Sequence, residues 1–328
     1  MKKINVGVIG LGVGRYHALN ILENKSCHLS MICDKKKTNS LKLPYSLKKI
    51  RFTRKEDEIL ENKKIDLVCI SSYDNFHFDQ IVKAINYNKH IFVEKPICLK
   101  QEELNYLKKK LSKHKNIKIS TNLVLRNNPY IKKMQKLIKK KKLGDLYYVE
   151  AEYNYGRIEK ITKGWRGDIK NYSIILGGGI HIIDIIQNLF GEKFKIVNIE
   201  GNKIVTKKTK FKNLDFVTVV LKNSQNLIVK LNFNFGCVMP HSHIFRVYGT
   251  NGSYFLDNEK ETLYQRKEGI IKKKFSKKIS ISHIYKKKIL KSFVNNIKNG
   301  SKPIINKKDL FQSIQTAIDF EKIINLKK

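Results

Sequence analysis

Hydrophobic residues in the first third of the chain fall in short unbroken runs separated by amphipathic stretches. Ile4–Ile9, Leu29–Cys33, Ile65–Ile70, His90–Val93 and Ile117–Thr121 are predicted strands, with Ile50–Thr53 a short additional one. Tyr16–Glu23, Glu56–Leu60, Phe78–Asn86 and Glu102–Leu111 lie between them and are predicted helices. Strands that alternate with helices build parallel βαβ units, and so a doubly wound sheet.

After about residue 122 the pattern changes. A helix over Ile131–Lys140 leads into longer strand-like stretches: Leu146–Tyr155, Phe194–Ile204, Phe216–Leu221, Leu227–Phe235 and Ile244–Tyr248. Ile180–Phe190 is an apolar helix, and the tail carries two amphipathic helices near Ile284–Asn296 and Leu310–Ile324. The predicted fold class is α/β in two domains. Residues 1–122 form the doubly wound parallel sheet. Residues 123–328 form an α+β domain with an open, mostly antiparallel or mixed sheet, serving substrate binding and oligomerisation. The C-terminal helices could pack back on the first domain. No internal repeat is present.

Gly10-Leu11-Gly12-Val13-Gly14 follows the first strand and opens the first helix. Gly10 permits the tight turn, Gly12 lets backbone approach a pyrophosphate, and the first helical N–H groups face that anion. The strand-turn-helix setting points to a Rossmann-type dinucleotide site. The spacing departs from G-x-G-x-x-G, because Gly14 comes one residue early and Arg15 stands at the third glycine's place. Asp34 ends the second strand, where an acid accepts the adenosine ribose hydroxyls and disfavours a 2′-phosphate. The predicted cofactor is therefore NAD. NADP stays open, since Lys35, Lys36 and Lys37 follow at once.

Composition changes this picture little. Of 328 residues 41% are hydrophobic, enough for a core, which excludes a disordered chain. No apolar run reaches the length of a membrane span, and the opening segment has no signal-peptide-like apolar core, so a cytoplasmic protein is expected. Five cysteines without C-x-x-C spacing argue against disulfides and a zinc site; Cys33 and Cys69 are expected as buried thiols. The 67 Lys and Arg against 28 Asp and Glu give a net charge of +39. Only eight of the cations are arginine, the residue suited to bidentate reading of phosphates and bases, and the lysines are spread along the chain. Charge alone favours nucleic acid. It also attracts anionic small molecules.

Three segments are more specific. Ile65–Ser72 leads to His77, His90–Val93 leads to Glu94-Lys95-Pro96, and Gly178-Gly179-Ile180-His181-Ile182-Ile183-Asp184 opens the apolar helix. With the glycine turn, these resemble the Gfo/Idh/MocA oxidoreductases over nearly the whole chain. The tail Phe293–Asn306 also looks like that family's C-terminal region. The resemblance implies an NAD(P)-dependent dehydrogenase or reductase that moves a hydride between nicotinamide and a CH–OH group of a carbohydrate. It implies that Lys95 contacts the reacting hydroxyl, that Glu94 contacts the cofactor ribose, and that His181 relays the proton with Asp184 orienting it. Lys95 and His181 are then expected to flank one redox carbon. Relatives often carry an Asp four residues before this histidine; here that position is Gly177.

Ser71–His77 matches the family's Thr-Pro-Asn-x-x-His stretch in part, with Tyr73 replacing the proline and Asp74 the asparagine. Gly10, Gly12, Val13, Gly14, Asp34, Ser71, Ser72, His77, Glu94 and Lys95 are thus the candidate cofactor contacts. Arg126, Arg157 and Arg166 precede His181 and suit carboxylates, phosphates and sugar hydroxyls. Trp165-Arg166 resembles a family pair, and Tyr153 could stack on a sugar; these are the candidate substrate contacts. His241 and His243 alternate on a strand, with no third ligand to make a metal site. The favoured substrate is a sugar nucleotide, otherwise a free sugar or cyclitol, in a homo-oligomer without specific nucleic-acid or membrane partners. A cofactor-binding sensor of the same fold is the alternative, and a nucleic-acid binder the remote one.

Overall fold

The structure, a computed structural model, describes residues 3–36, 41–169, 172–191, 194–279 and 284–327, so Lys37 lies outside the described residues. The chain divides into two compact units. One comprises Met1–Val124 with Ile284–Gln315, the other Leu125–His283 with Thr316–Lys328.

The first unit holds β1 (Ile4–Ile9), α1 (Gly14–Leu22), β2 (Cys27–Cys33), α2 (Tyr45–Lys48), β3 (Phe52–Thr53), α3 (Asp57–Leu60), β4 (Leu67–Ile70), α4 (His77–Asn86), β5 (His90–Val93), α5 (Gln101–Lys113) and β6 (Ile119–Thr121). The strands lie in the order β3-β2-β1-β4-β5-β6 and all pair in parallel. This is the doubly wound topology that the alternating pattern predicts. It works because the strands are covered on both faces: all four residues of β4 are buried, Cys69 among them, and so is Cys33 of β2. The strand order reverses between β1 and β4, the place where open α/β sheets bind ligands at the carboxyl ends of their strands. One of the tail helices, α9, brings Phe293 to 5.9 Å from Phe92 of β5, and Ser120 donates to the Ile305 carbonyl at 2.9 Å.

The second unit holds α6 (Pro129–Lys139), β7 (Leu146–Asn154), α7 (Glu159–Thr162), α8 (Ile180–Phe190), β8 (Lys195–Asn202), β9 (Phe216–Lys222), β10 (Ile228–Asn234), β11 (Ser242–Gly249), β12 (Gly252–Leu256), β13 (Lys260–Lys267) and β14 (Ile270–Lys278). The helices α9 (Ile284–Asn299) and α10 (Lys307–Leu326) follow, α10 running across the division at Gln315. The eight strands are ordered β14-β13-β12-β11-β7-β10-β9-β8, antiparallel throughout except for β7 beside β10. Alternate residues form one buried face: Val149, Ala151 and Tyr153 of β7, Val229, Leu231 and Phe233 of β10, Phe245 and Val247 of β11. The sequence predicts no strand beyond Tyr248, yet β12–β14 are there. Their lysine-rich outer strand Ile270–Lys278 is exposed at eight of nine positions, so it lacks the buried alternation that marks a strand.

Candidate active site

The glycine turn is built by steric demand. Gly10 has φ +83°, and a side-chain carbon there would lie 2.5–2.6 Å from backbone atoms of Ser71 and Ser72, so β1 and the loop after β4 approach as only glycine allows. Gly12 is the opposite case, exposed, with nothing within 4 Å of where a side chain would start. Val13 precedes α1 with its side chain half exposed, and no side chain caps the helix start. Asp34 is held from two sides: Leu11 N–H donates to Oδ2 at 2.7 Å and Lys36 N–H to Oδ1 at 2.9 Å. Arg15 turns its Nε back onto the Leu11 and Gly12 carbonyls at 3.1 and 3.0 Å, bracing the turn where a third glycine would otherwise be.

Beyond β4, Ser72 donates to Gln80 at 2.6 Å, and Gln80 in turn donates to Glu56 at 2.6 Å. The Ser71 hydroxyl is buried beside Gly14 and has no hydrogen-bond partner among the described residues. His77 is fully buried, with Nδ1 2.6 Å from the Pro96 carbonyl and Nε2 3.2 Å from that of Ser72. It lies between the loop after β4 and the loop after β5.

The Lys95–Pro96 bond is cis. Glu94 Oε1 accepts from Asn122 Nδ2 at 2.8 Å and lies 2.7 Å from His17 Nε2. Burial pushes the Glu94 carboxyl up, but the His17 bond and charge, the Lys95 ammonium and the Asn122 amide outweigh it and hold it below the usual carboxylate range. His17 and Asn122 are absent from the sequence prediction. Gly14 and His17 lie three apart on the buried side of α1, the one signal that could have found the histidine.

These groups fit a dinucleotide: an open glycine floor, uncapped N–H groups at the start of α1, a fixed acid at Asp34, and a hydroxyl buried at the turn without a partner.

In the second unit the site is assembled by close packing. Leu176 is followed by three glycines that close a π-helical turn, Ile175–Gly179, running into α8. Ser173 caps it, its Oγ accepting from the Ile175 and Leu176 N–H groups at 3.0 Å. A side-chain carbon on Gly178 would sit 2.5 Å from Tyr153 and 2.7 Å from Phe235. One on Gly179 would strike Phe233, and one on Gly177 would strike the hydroxyl of Tyr172, lying 2.5 Å from its Cζ. The glycines let the helix lie directly on the aromatic face of the sheet. Where the resemblance places an acidic side chain, the structure places the phenol oxygen of Tyr172.

His181 is nearly buried, its ring stacked 6.3 Å from Tyr153. Strand register puts His243 opposite Tyr153 across β7 and β11. The His243 ring lies 6.1 Å from His181 and 4.9 Å from His241, and Tyr155 and Phe235 stack beyond Tyr153. Among the described residues no three His, Cys, Asp or Glu side chains are placed to hold a metal ion. The gathering of three imidazoles was not foreseen from sequence, since only the register of β11 on β7 reveals it.

Arg126 makes a bidentate pair with Asp184, Nε to Oδ2 and Nη2 to Oδ1, both at 2.7 Å. Asp184 is fully buried. The pair fastens α8 to the turn Val124–Asn127, so Arg126 serves a carboxylate of its own chain and Asp184 is turned to that arginine. Arg166 lies 4.3 Å over the Trp165 ring and 6.0 Å from Tyr172, and Arg157 lies 6.0 Å from Tyr155. Burial pushes the Tyr153 phenol up and Tyr155 adds to it, while Arg166 and Arg157 pull the other way. Lys160 is lowered by burial first, then by Arg157 and Arg166. Arg157 and Arg166 thus both act on the Lys160 ammonium and on the Tyr153 phenol.

Two family descriptions match the chain: "Oxidoreductase family, NAD-binding Rossmann fold" over residues 4–122 and "GFO/IDH/MocA C-terminal domain" over residues 131–255. The chain is 22% identical to myo-inositol 2-dehydrogenase of Thermotoga maritima over 322 residues, covering 93% of this chain and 92% of that protein. It shares its fold with the crystal structure of myo-inositol 2-dehydrogenase from Lactobacillus plantarum (TM-score 0.84, 18% identity, 100% and 98% of the two chains). It does so too with UDP-N-acetylglucosamine 3-dehydrogenase from Acidithiobacillus ferrooxidans (TM-score 0.77, 18% identity, 99% and 98%). The NAD-binding first unit, the mixed sheet of the second and these two matches together place the chain in the Gfo/Idh/MocA family of oxidoreductases.

Proposed function

We propose that this oxidoreductase oxidises or reduces a secondary alcohol or ketone of a carbohydrate carrying an anionic group, with a sugar nucleotide as the favoured substrate. The observation that carries the choice is the group Arg157, Lys160 and Arg166 beside Tyr153, Tyr155 and Trp165. Guanidinium forks suit a diphosphate, and flat rings suit a sugar face or a base. A free cyclitol needs no such concentration of positive charge.

Bound NAD supplies the hydride acceptor. Lys95, as the unprotonated amine, would take the hydroxyl proton of the substrate while the same carbon gives its hydride to NAD⁺, leaving a ketone and the Lys95 ammonium. The reverse reaction returns both. His181 passes the proton onward, and Asp184, through its pair with Arg126, fixes the helix that carries His181. Gly10, Gly12, Val13 and Gly14 would receive the pyrophosphate, Asp34 and Glu94 the ribose hydroxyls, and Ser71 and Ser72 would face them from the loop after β4, which His77 holds in place. A second copy of the chain would pack on the outer face of the eight-stranded sheet, where Tyr148, Tyr248, Phe255 and Tyr264 form a continuous row of rings. All five cysteines are free thiols, in keeping with the reducing cytoplasm.

The test is NADH formation by purified protein with NAD⁺ over nucleotide-linked sugars, free sugars and inositols. Lys95→Ala is expected to lower kcat by about 10²–10⁴-fold. Wild-type turnover in that variant would reject Lys95 as the base. With a sugar nucleotide, kcat/KM should fall as salt rises and KM should rise in Arg166→Met. Best turnover on a neutral cyclitol, indifferent to both, overturns the anionic-substrate reading.

A further inference from the structure

Glu94 stands at the carboxyl end of β5 and is tied to the neighbouring strand by its N–H, which donates to the Ile70 carbonyl at 2.8 Å. A dinucleotide crosses such strand ends. Two donors from different elements meet on one oxygen of its side chain. His17 Nε2 comes from α1 and lies 2.7 Å from Oε1; Asn122 Nδ2 follows β6 and donates to the same oxygen at 2.8 Å. Neither side chain makes another hydrogen bond among the described residues: His17 Nδ1 and Asn122 Oδ1 are buried without a partner there. Oε1 is thus filled by the protein itself. Oε2 accepts no hydrogen bond among the described residues, and the side chain stays 13% exposed. A carboxyl held below the usual carboxylate range, with one oxygen open, is an acceptor for a ligand hydroxyl. Packing alone does not call for an imidazole at position 17. A leucine would also meet the Phe92 ring, which His17 approaches edge-on at 5.3 Å, and would leave no buried nitrogen unpaired.

We infer that His17 is a positioning residue for the cofactor: it holds Oε1 of Glu94 so that Oε2 is left to accept from the hydroxyls of the nicotinamide-side ribose. Asn122 is the second support. One helix is thereby used twice. Gly14, at the glycine turn, begins α1, and His17 lies one turn on along the same buried side. The helix that offers its first N–H groups to the pyrophosphate also fixes the acceptor for the ribose beyond it, so one rigid element sets the spacing between these two contacts. Phe92, itself 5.9 Å from Phe293 of α9, packs against the imidazole and keeps it in place. The inference rests on the proposed contact of Glu94 with the cofactor ribose.

The experiment needs no carbohydrate. NADH, ADP-ribose and ADP are titrated calorimetrically into the wild type, His17→Leu, His17→Gln and Glu94→Gln. ADP carries the adenosine and the pyrophosphate only; ADP-ribose adds the second ribose without the nicotinamide. In His17→Leu the affinities for NADH and ADP-ribose should each fall about tenfold, the worth of one hydrogen bond to a charged group, while that for ADP stays within about twofold of wild type. His17→Gln, whose amide N–H reaches the place of Nε2, should recover most of the loss. Should His17→Leu not fold, His17→Asn, polar but too short to reach Oε1, takes its place. Wild-type ADP-ribose affinity in the His17 variant, with a loss in Glu94→Gln, would overturn the inference and leave Glu94 a ribose contact. Wild-type ADP-ribose affinity in Glu94→Gln would overturn both. An equal loss for all three ligands, or no recovery in His17→Gln, would make His17 a packing element of the turn and overturn the inference as well.

Discussion

The two sheets present polar groups in different ways. In the six-stranded parallel sheet the candidate groups stand on loops at the carboxyl ends of strands: the glycine turn after β1, Asp34 after β2, Ser71 and Ser72 after β4, Glu94 and Lys95 after β5. Topology gathers them, since every strand of a parallel sheet ends on the same side. In the eight-stranded mixed sheet strand ends point both ways, and the candidate groups come from strand faces and from a helix laid upon them. Tyr153 and His243 meet by register, and His181 joins them because three glycines lower α8 onto the rings. The first arrangement is set by backbone, the second by packing. Their tolerance of substitution should differ accordingly.

The largest expected effect lies in the second unit. Arg126→Met leaves the fully buried Asp184 carboxylate without its bidentate partner. Breaking a buried pair from one side costs about 3–5 kcal/mol. Urea unfolding should show that loss, whereas the double variant Arg126→Met/Asp184→Leu should recover most of it. A loss below about 1 kcal/mol in the single variant would mean that the helix carrying His181 is held by apolar packing instead.

This contrast also explains what the sequence disclosed. The glycine turn, the acid ending β2 and Glu94-Lys95-Pro96 were legible because each is a contiguous segment with its chemistry beside its strand. His17 and Asn122 were not, although they engage Glu94, because one sits on a helix and the other follows β6, each far from Glu94 in sequence. Tyr172 and His243 were illegible for a stronger reason: their positions depend on the register of β11 against β7 and on the depth of α8 over the sheet, which no single segment encodes. The outer strand β14 escaped because lysines on a solvated strand erase the alternation. Arginines drew attention by their scarcity, which says nothing of whether a guanidinium faces a substrate or, like that of Arg126, a carboxylate of its own chain.

A second pair of variants tests the claim that backbone sets the first unit. At Gly10 an alanine meets both φ +83° and backbone atoms 2.5–2.6 Å away. Strain and forced movement together should cost about 3 kcal/mol and abolish measurable NAD binding. Gly12→Ala has open space, so its stability should stay within about 0.5 kcal/mol of wild type. Its NAD affinity should still fall at least about tenfold, because the new methyl stands where the pyrophosphate approaches. Equal loss of stability in both variants would show that the turn is merely tight; unchanged affinity in Gly12→Ala would move the cofactor off it.

The smallest effect separates backbone from side chain within the first unit. The Glu94 carboxyl is held below the usual carboxylate range in the folded chain, burial being outweighed by His17, Lys95 and Asn122. A depressed folded value means that the ionised form is favoured by folding. The contribution is complete above the unfolded carboxylate value and disappears as pH falls through the lower folded one. His17→Leu removes the hydrogen bond that leads the opposition to burial, so Glu94 should take up its proton at a higher pH than in wild type. Stability near pH 7 should drop by about 2 kcal/mol, the worth of a buried charged hydrogen bond, and acid unfolding should begin at higher pH. Urea melts across the acid range read both changes. Coincident profiles for the two proteins would mean that Lys95 and Asn122 alone keep Glu94 ionised, leaving His17 as packing against Phe92, whose ring it meets edge-on at 5.3 Å.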